Sequence, residues 1–495
     1  MANPIRRVAV IGAGPAGAIA TDALVKEQAF DEIRVFERHA VVGGTWVYSP
    51  DLVPGIPSLR ALVEQRADRP IPVPDRFPCE TARAESNSHR NRYSDTGVHE
   101  ALHSNLPPST MSFTQEPLPD TLSERTLADF GPDAPFRHRQ VVRDWVEQIF
   151  ARGGHEKLVS LNTTVERAEK KTDSPGQAWV LTLRQEAPGA RDRWWQEEFD
   201  AVVVAAGHYN VPYVPDIPGL VEYEERHPGS IMHSKHYRGA EAFAGKKVVV
   251  VGGSVSAVDA IHEIRAVARR PVIASVRRPL PAFGWTPFVH PHVALRSAIA
   301  RLDPAARRVE FADGSVADGV DVVYFATGYD FSFPYLQSGG GEEKGQGRQL
   351  PPVEIRNRRI DGLYQHVFSR RDPTMAFIGM ITGGLTFRVF EWQAVAAARV
   401  FAGRGTLPSR EEMDKWERER VADVGDGLPF FNIAFDYEGY FEGLRALAGD
   451  PAPGTTGRVL PKYEEQWEKE VGLVVEAKER WWERERKMAE DAEGV

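Results

Sequence analysis

Apolar residues in this chain come in short, sharply bounded runs. The first, Val8–Ile11, leads straight into Gly12-Ala13-Gly14-Pro15-Ala16-Gly17. Such a run predicts a strand buried on both faces of a parallel sheet, followed by helical spacing from about Ala16 to Gln28. Glu32–Glu37 reads as the next strand, completing a strand–helix–strand unit that opens on a tight glycine turn. The same pattern returns at Phe243–Gly253, where Val248–Val251 runs into Gly252-Gly253-Ser254-Val255-Ser256-Ala257. Ala257, Ile261, Ile264 and Val267 then recur at helical spacing, and Val272–Val276 is the following strand. Two related apolar runs, Asp200–Gly207 and Asp321–Tyr329, flank this second unit. They predict the crossings by which the chain leaves one domain and returns to it.

Other periodicities fill in the outline. Val141, Val142, Trp145 and Ile149 give Arg139–Phe150 a helical face, while Trp179–Leu183 and Trp194–Phe199 alternate like a small antiparallel hairpin. Residues 49–95 are rich in proline, charge and polar groups, and read as an inserted surface loop or lid. After Arg410 the chain is helical and charged; Tyr463, Trp467, Val471, Val474 and Trp481 fall near one face of a closing helix clamped to the body. The expected fold is α/β, with two doubly wound, Rossmann-like dinucleotide-binding domains, one inserted in the other. The boundaries are 1–207 for the first part of the outer domain, 208–325 for the inserted domain, and 326–495 for the second part with the terminal helices.

Composition narrows the chemistry. A chain of 495 residues can hold about three domains. A net charge of −9 gives no footprint of a nucleic-acid binder. Cys79 is the only cysteine, which excludes paired-cysteine redox chemistry. No secretory leader is visible, and no apolar run reaches the roughly 18 residues of a membrane span. The expected location is the cytoplasm.

The first loop fits FAD. Gly12 permits the tight turn, Gly14 lets the backbone approach a pyrophosphate, and Gly17 lets helix and strand pack closely. Unpaired N–H groups near Ala16 face the phosphates. Glu37 stands about 20 residues beyond the loop, where a carboxylate accepts from ribose hydroxyls and repels a 2′-phosphate. The second loop keeps Gly252 but has Ser254 and Ala257 at the later glycine positions. Beyond its second strand come Arg277 and Arg278, two guanidiniums suited to a 2′-phosphate. NADPH is therefore expected there, with Ser254 and Ser256 adding hydroxyls near the pyrophosphate.

These residues resemble the flavin-containing monooxygenases, the class B group related to Baeyer–Villiger enzymes. Gly229, His233 and Tyr237 keep the Gly/His/Tyr spacing of the group's fingerprint, although His227 stands where its opening phenylalanine is usual. Gly43-Gly44-Thr45-Trp46 resembles the turn that covers the flavin, and Leu102-His103-Ser104-Asn105-Leu106-Pro107 the Leu-x-Thr/Ser-Asn-x-Pro segment. Ala326–Tyr329 resembles the return strand, with Ala205–Gly207 a variant of it, and Phe390–Gln393 a late segment of the flavin domain. The spelling is nearest to fungal members that oxidise heteroatoms. The likeness runs from Val8 to about Met413.

It implies that Ala16, Gly44, Thr45, Trp46, Ser104 and Val165 belong with Gly12, Gly14, Gly17 and Glu37 to the FAD site. It also implies that His233 and Tyr237 are hinge and nucleotide-contact residues. In the family, NADPH reduces FAD, and the reduced flavin adds dioxygen to give a C(4a)-hydroperoxide that an amine nitrogen or a sulfur attacks. Asn105 is implied as the catalytic residue, its amide steadying that species. No metal is required. Other readings stay open: Baeyer–Villiger oxygenation of a ketone, a non-oxygenating NADPH–flavin reductase, or a nucleotide-dependent sensor. The partners expected are a small amine or sulfur compound and dioxygen. The substrate itself and a homodimeric state are not written in the sequence.

Overall fold

The computed structural model describes residues 4–50, 56, 58–65, 67–84, 93, 95–171, 178–336 and 352–493. Its largest sheet has seven strands, in the order Leu363–Tyr364, Phe368–Ser369, Met375–Phe377, Ala201–Val204, Arg7–Ile11, Glu32–Phe36 and Val159–Ser160. Arg7–Ile11 is an internal strand, parallel to both neighbours, with Ala9 opposite Arg34 on one side and Val202 on the other. Alternation sends Val8 and Val10 into one core and Ala9 and Ile11 into another. Both faces are thus covered, which is why this strand reads as an unbroken apolar run.

One of those cores is helical. Pro15–Glu27 starts on a proline whose missing N–H costs nothing in the first turn, and it continues in alanines. It packs against Thr386–Phe401 and Arg139–Arg152. Small residues on the first helix, Ala16, Ala20 and Ala23 among them, permit this close approach. Deep in this layer Arg458 has no solvent exposure and joins Asp22 (2.6 Å) to Glu391 (2.7 Å).

A second parallel sheet follows the order Ile231–His233, Val322–Phe325, Val248–Val251, Val272–Ser275 and Val293–Arg296. The two flanking runs therefore have different homes. Ala201–Val204 belongs to the first sheet, whereas Val322–Phe325 is internal to the second. The chain rejoins the first sheet only at Leu363–Tyr364, Phe368–Ser369 and Met375–Phe377. The crossings themselves pair as a two-stranded ribbon, Tyr329 opposite Pro212 and Asp330 opposite Val211. The likeness of the two runs has a steric origin. A Cβ on Gly12 would lie 2.6 Å from the Ala205 carbonyl oxygen, and one on Gly252 2.5 Å from that of Ala326. Each glycine turn is stacked directly on the end of its neighbouring strand.

The expected hairpin is real and larger. Trp179–Ala187 and Arg191–Phe199 form the middle of a four-stranded antiparallel sheet with Thr163–Lys170 and Cys79–Ala82. Within the 49–95 insertion, residues 51–55, 57, 66, 85–92 and 94 lie outside the described residues. The remainder is more than a solvated loop. Cys79–Ala82 pairs along Arg191–Trp194, and Leu59, Leu62 and Tyr93 are buried in a core shared with the second sheet.

Three helices close the chain: Arg410–Val424, Tyr437–Ala448 and Glu465–Glu493. The last one spans both halves. Trp467 packs on Trp392 and Phe441 of the first core, while Trp482 packs edge-on against Phe283 of the second. Arg265 pairs with Glu485 at 2.9 Å on the same side.

Candidate active site

A cavity of about 1050 Å³ lies between the seven-stranded and five-stranded sheets and under the terminal helix. Of the residues expected at the FAD site, Gly12, Gly14, Ala16, Glu37, Gly44, Thr45, Trp46, Asn105 and Val165 all line it. Gly17 sits behind the loop. A Cβ there would lie 1.9 Å from the Gly12 carbonyl oxygen, so only glycine lets the turn close beneath the helix. Gly14 and Gly44 approach backbone to backbone, a Cβ on Gly44 falling 2.7 Å from the Gly14 Cα. The Gly43 N–H donates to the Ala13 carbonyl at 2.9 Å, which ties the turn carrying Thr45 and Trp46 to the glycine loop.

Glu37 follows its strand immediately and is 4% exposed. One carboxylate oxygen accepts from the Ala13 N–H at 2.8 Å, the other from the His39 N–H at 2.8 Å. Burial by itself would raise the carboxyl. The contacts with His39 and Ala13 outweigh it and hold the group below its ordinary range. It stays ionised; Oε1 also meets the His39 ring at 3.2 Å, and Oε2, which accepts from Ala13, keeps a further lone pair for a ribose hydroxyl. A cavity that combines a backbone cradle at Gly12–Ala16 with an ionised acceptor at Glu37 fits a dinucleotide lacking a 2′-phosphate.

Asn105 is exposed in the cavity, and its carboxamide has no partner among the described residues. The loop around it is fixed. Buried Ser104 donates through its hydroxyl to the Leu106 carbonyl (2.8 Å) and accepts from the Arg137 N–H (3.0 Å), while its own N–H donates to the Arg137 carbonyl (2.8 Å). Ser104 is thus spent on holding the loop and does not line the cavity. Trp46, Leu106, Met111, Phe387 and Phe390 line an apolar wall continuous with the first core.

The second glycine unit meets the cavity at Ser254 and Val255, where its helix Val255–Ile264 begins. Ser254 is the N-cap residue, and its side chain makes no capping bond. Leu280 donates to the Gly253 carbonyl at 2.7 Å, folding the segment after Arg277 and Arg278 against this loop. Both arginines are exposed, without a protein partner among the described residues. Like Ser256 and Gly252, they lie outside the cavity lining. His233 and Tyr237 are buried and turned to protein. His233 contacts the Gly328 carbonyl at 3.0 Å and accepts from the Lys235 N–H at 3.1 Å, and the Tyr237 hydroxyl meets Glu263. Burial drives His233 down to about 3, so its ring is neutral.

Several lining residues carry no sequence signal. His208–Asn210 follow directly from the first crossing, and adjacency to Gly207 was the available hint. Burial lowers His208 to about 4. Thr382–Gly384, Phe435, Tyr437, Val471, Val474, Val475 and Lys478 arrive from elements far along the chain. Phe390 lines the cavity, whereas the aromatics Trp285 and Phe288 do not.

A family model described as flavin-binding monooxygenase-like matches residues 111–280 and 287–450, more than half of the chain. The chain belongs to this family. It is an oxidoreductase that depends on FAD and NADPH. Flavin-containing monooxygenase ustF2 of Aspergillus flavus is 28% identical over 480 residues, covering 90% of this chain and 92% of the relative. Flavin-containing monooxygenase FMO GS-OX3 of Arabidopsis thaliana is 30% identical over 410 residues, covering 82% and 76%. Among solved structures, the S-allyl-L-cysteine S-oxygenase of Allium sativum superposes with a TM-score of 0.70 at 26% identity, covering 96% of this chain and 93% of that one. Among the described residues, no helix is long and apolar enough to cross a membrane.

Proposed function

We propose that this monooxygenase transfers one atom of dioxygen to a nitrogen or sulfur of a small molecule. The first glycine unit holds FAD and the second holds NADPH, in the 208–325 domain. The reaction balances as substrate, O2, NADPH and H+ giving oxygenated substrate, water and NADP+. The observation that carries the reading is the single cavity shared by the Gly12–Glu37 cradle, the unpartnered Asn105 amide and the start of the second nucleotide helix.

Bound FAD, once reduced, supplies the activation of dioxygen; the chain supplies position, polarity and exclusion of water. Glu37 fixes the adenosine ribose and Gly12–Ala16 the pyrophosphate. Asn105 presents its amide to the reacting edge from a loop that Ser104 holds in place. The wall of Trp46, Leu106, Met111, Phe387 and Phe390 keeps that edge dry and admits an uncharged soft nucleophile. The solved S-oxygenase, similar over nearly the whole chain, favours heteroatom oxidation over attack on a ketone. The test is a product screen by mass spectrometry with tertiary amines, thioethers and cyclic ketones under NADPH and oxygen. Amine or thioether products carrying one added oxygen are expected. Lactones or esters from ketones alone would establish the Baeyer–Villiger reading, and hydrogen peroxide with every compound a reductase.

Arg277 and Arg278 recognise the 2′-phosphate. A charge-assisted hydrogen bond contributes about 1.5–3 kcal/mol. Arg277→Ala should therefore raise the KM for NADPH by roughly ten- to a hundredfold while leaving that for NADH unchanged. Steady-state kinetics with both nucleotides checks this, and an equal rise for the two would remove Arg277 from the role.

A further inference from the structure

The terminal helix Glu465–Glu493 lies beyond the residues that the family model matches, yet it roofs the cavity through Val471, Val474, Val475 and Lys478. Lys478 is the only cation this helix brings there. Its side chain is 15% exposed, and its Nζ lies 5.7 Å from the Phe136 ring centre and 5.8 Å from that of Phe283. Its nearest carboxylate, Asp259, is 3.9 Å away, beyond hydrogen-bond length. The ammonium thus keeps its donors while two ring faces exclude water from it.

Its neighbours belong to the second nucleotide loop. Phe283 and Leu280 line the cavity beside Ser254 and Val255, and Leu280 is bonded to Gly253. Asp259 stands one turn after Val255 on the same helix face. Lys478 therefore meets this helix one turn beyond its start and lines the same cavity as Ser254 and Val255, where unpaired N–H groups and the Ser254 hydroxyl already favour negative charge.

We propose that Lys478 binds the pyrophosphate of NADPH across the cleft, so that the terminal helix completes the nucleotide site from outside both glycine units. This inference rests on the second loop being the NADPH site. Aromatic anchors on either side of Lys478 explain how the helix delivers the charge: Trp467 fixes its first turn to the first core, and Trp481 and Trp482 fix its middle to His262 and Phe283. A pyrophosphate contact is common to NADP+ and NAD+, whereas the Arg277 contact is specific to the 2′-phosphate.

The experiment is a tryptophan-fluorescence titration of the FAD-loaded enzyme with NADP+ and with NAD+. Lys478→Met keeps the stem between the two rings and removes the charge. It should raise both dissociation constants by the same factor, about tenfold for one charge-assisted contact, with FAD content and melting temperature unchanged. Lys478→Arg should restore most of the affinity, and Arg277→Ala should weaken NADP+ alone. Unchanged affinity for both nucleotides in the Lys478→Met variant would overturn the proposal and leave Lys478 a packing residue. Unchanged nucleotide affinities with a raised KM for an anionic substrate would overturn it in favour of a substrate contact. A wild-type enzyme that binds neither nucleotide would overturn the reading beneath it as well.

Discussion

Asn105→Ala should leave FAD bound and NADPH oxidation running, while oxygenated product formed per NADPH falls about a hundredfold, the usual cost of losing one preorganised donor. The missing product should reappear as hydrogen peroxide, because oxygen reduced at the expense of NADPH and not transferred to substrate leaves as peroxide. The expectation is this large because the loop is built to hold the amide still. Ser104 bonds both Leu106 and Arg137, so the substitution removes a donor without loosening its support. No protein group among the described residues occupies the carboxamide, which would leave it free to donate to a bound flavin. Parallel assays of NADPH consumption, peroxide and product separate the outcomes. An unchanged ratio of product to NADPH would end the proposed role of Asn105.

A second large effect is expected far from the chemistry. Arg458 has no solvent exposure and bridges Asp22 to Glu391, which also accepts from the Thr114 N–H and hydroxyl at 2.6 Å each. Burial alone would lower the guanidinium; Glu391 and Asp22 outweigh it and raise it. Arg458→Met would leave two carboxylates in the core without their shared cation. Breaking a buried ionic cluster this way costs about 3–5 kcal/mol, and urea unfolding of the FAD-loaded protein should show a loss of that size. Arg458→Lys should recover only part of it, because an ammonium cannot present the planar fork that spans both acids. A loss below about 1 kcal/mol, the level of a surface pair, would show that the cluster relaxes or rehydrates.

The cluster also gives a structural role to a segment that resembles a family piece, Phe390–Gln393, of which only Phe390 lines the cavity. Glu391 holds Arg458, and Gln393 donates to Tyr440 at 2.9 Å and accepts from the Gly379 N–H at 2.9 Å. At His227, where the fingerprint usually opens on phenylalanine, the ring stacks edge-on with Tyr223 and its Nε2 contacts the Pro304 carbonyl at 2.9 Å. The departure is absorbed by local packing.

What the sequence determined by itself was whatever rests on neighbours in the chain. A strand, a glycine turn and a helix lie within a few residues of each other, so Val8–Gly17 and Val248–Ala257 were readable as nucleotide units, and Glu37 as the acid that closes the first. Strands buried on both faces were legible because they are almost wholly apolar. Tertiary structure alone decided the rest. Leu59, Leu62 and Tyr93 are too sparse in a proline-rich stretch to show any period, yet they are buried against the second sheet. Val322–Phe325 and Ala201–Val204 look alike because both end beneath a glycine turn, and only strand pairing assigns them to different sheets. The terminal helix was visible as a helix with an apolar face. That it rests on two different cores, and that Lys478 thereby enters the cavity, follows from contacts between residues far apart in the chain. Local periodicity records which face a helix buries, and it carries no information about what that face is buried against.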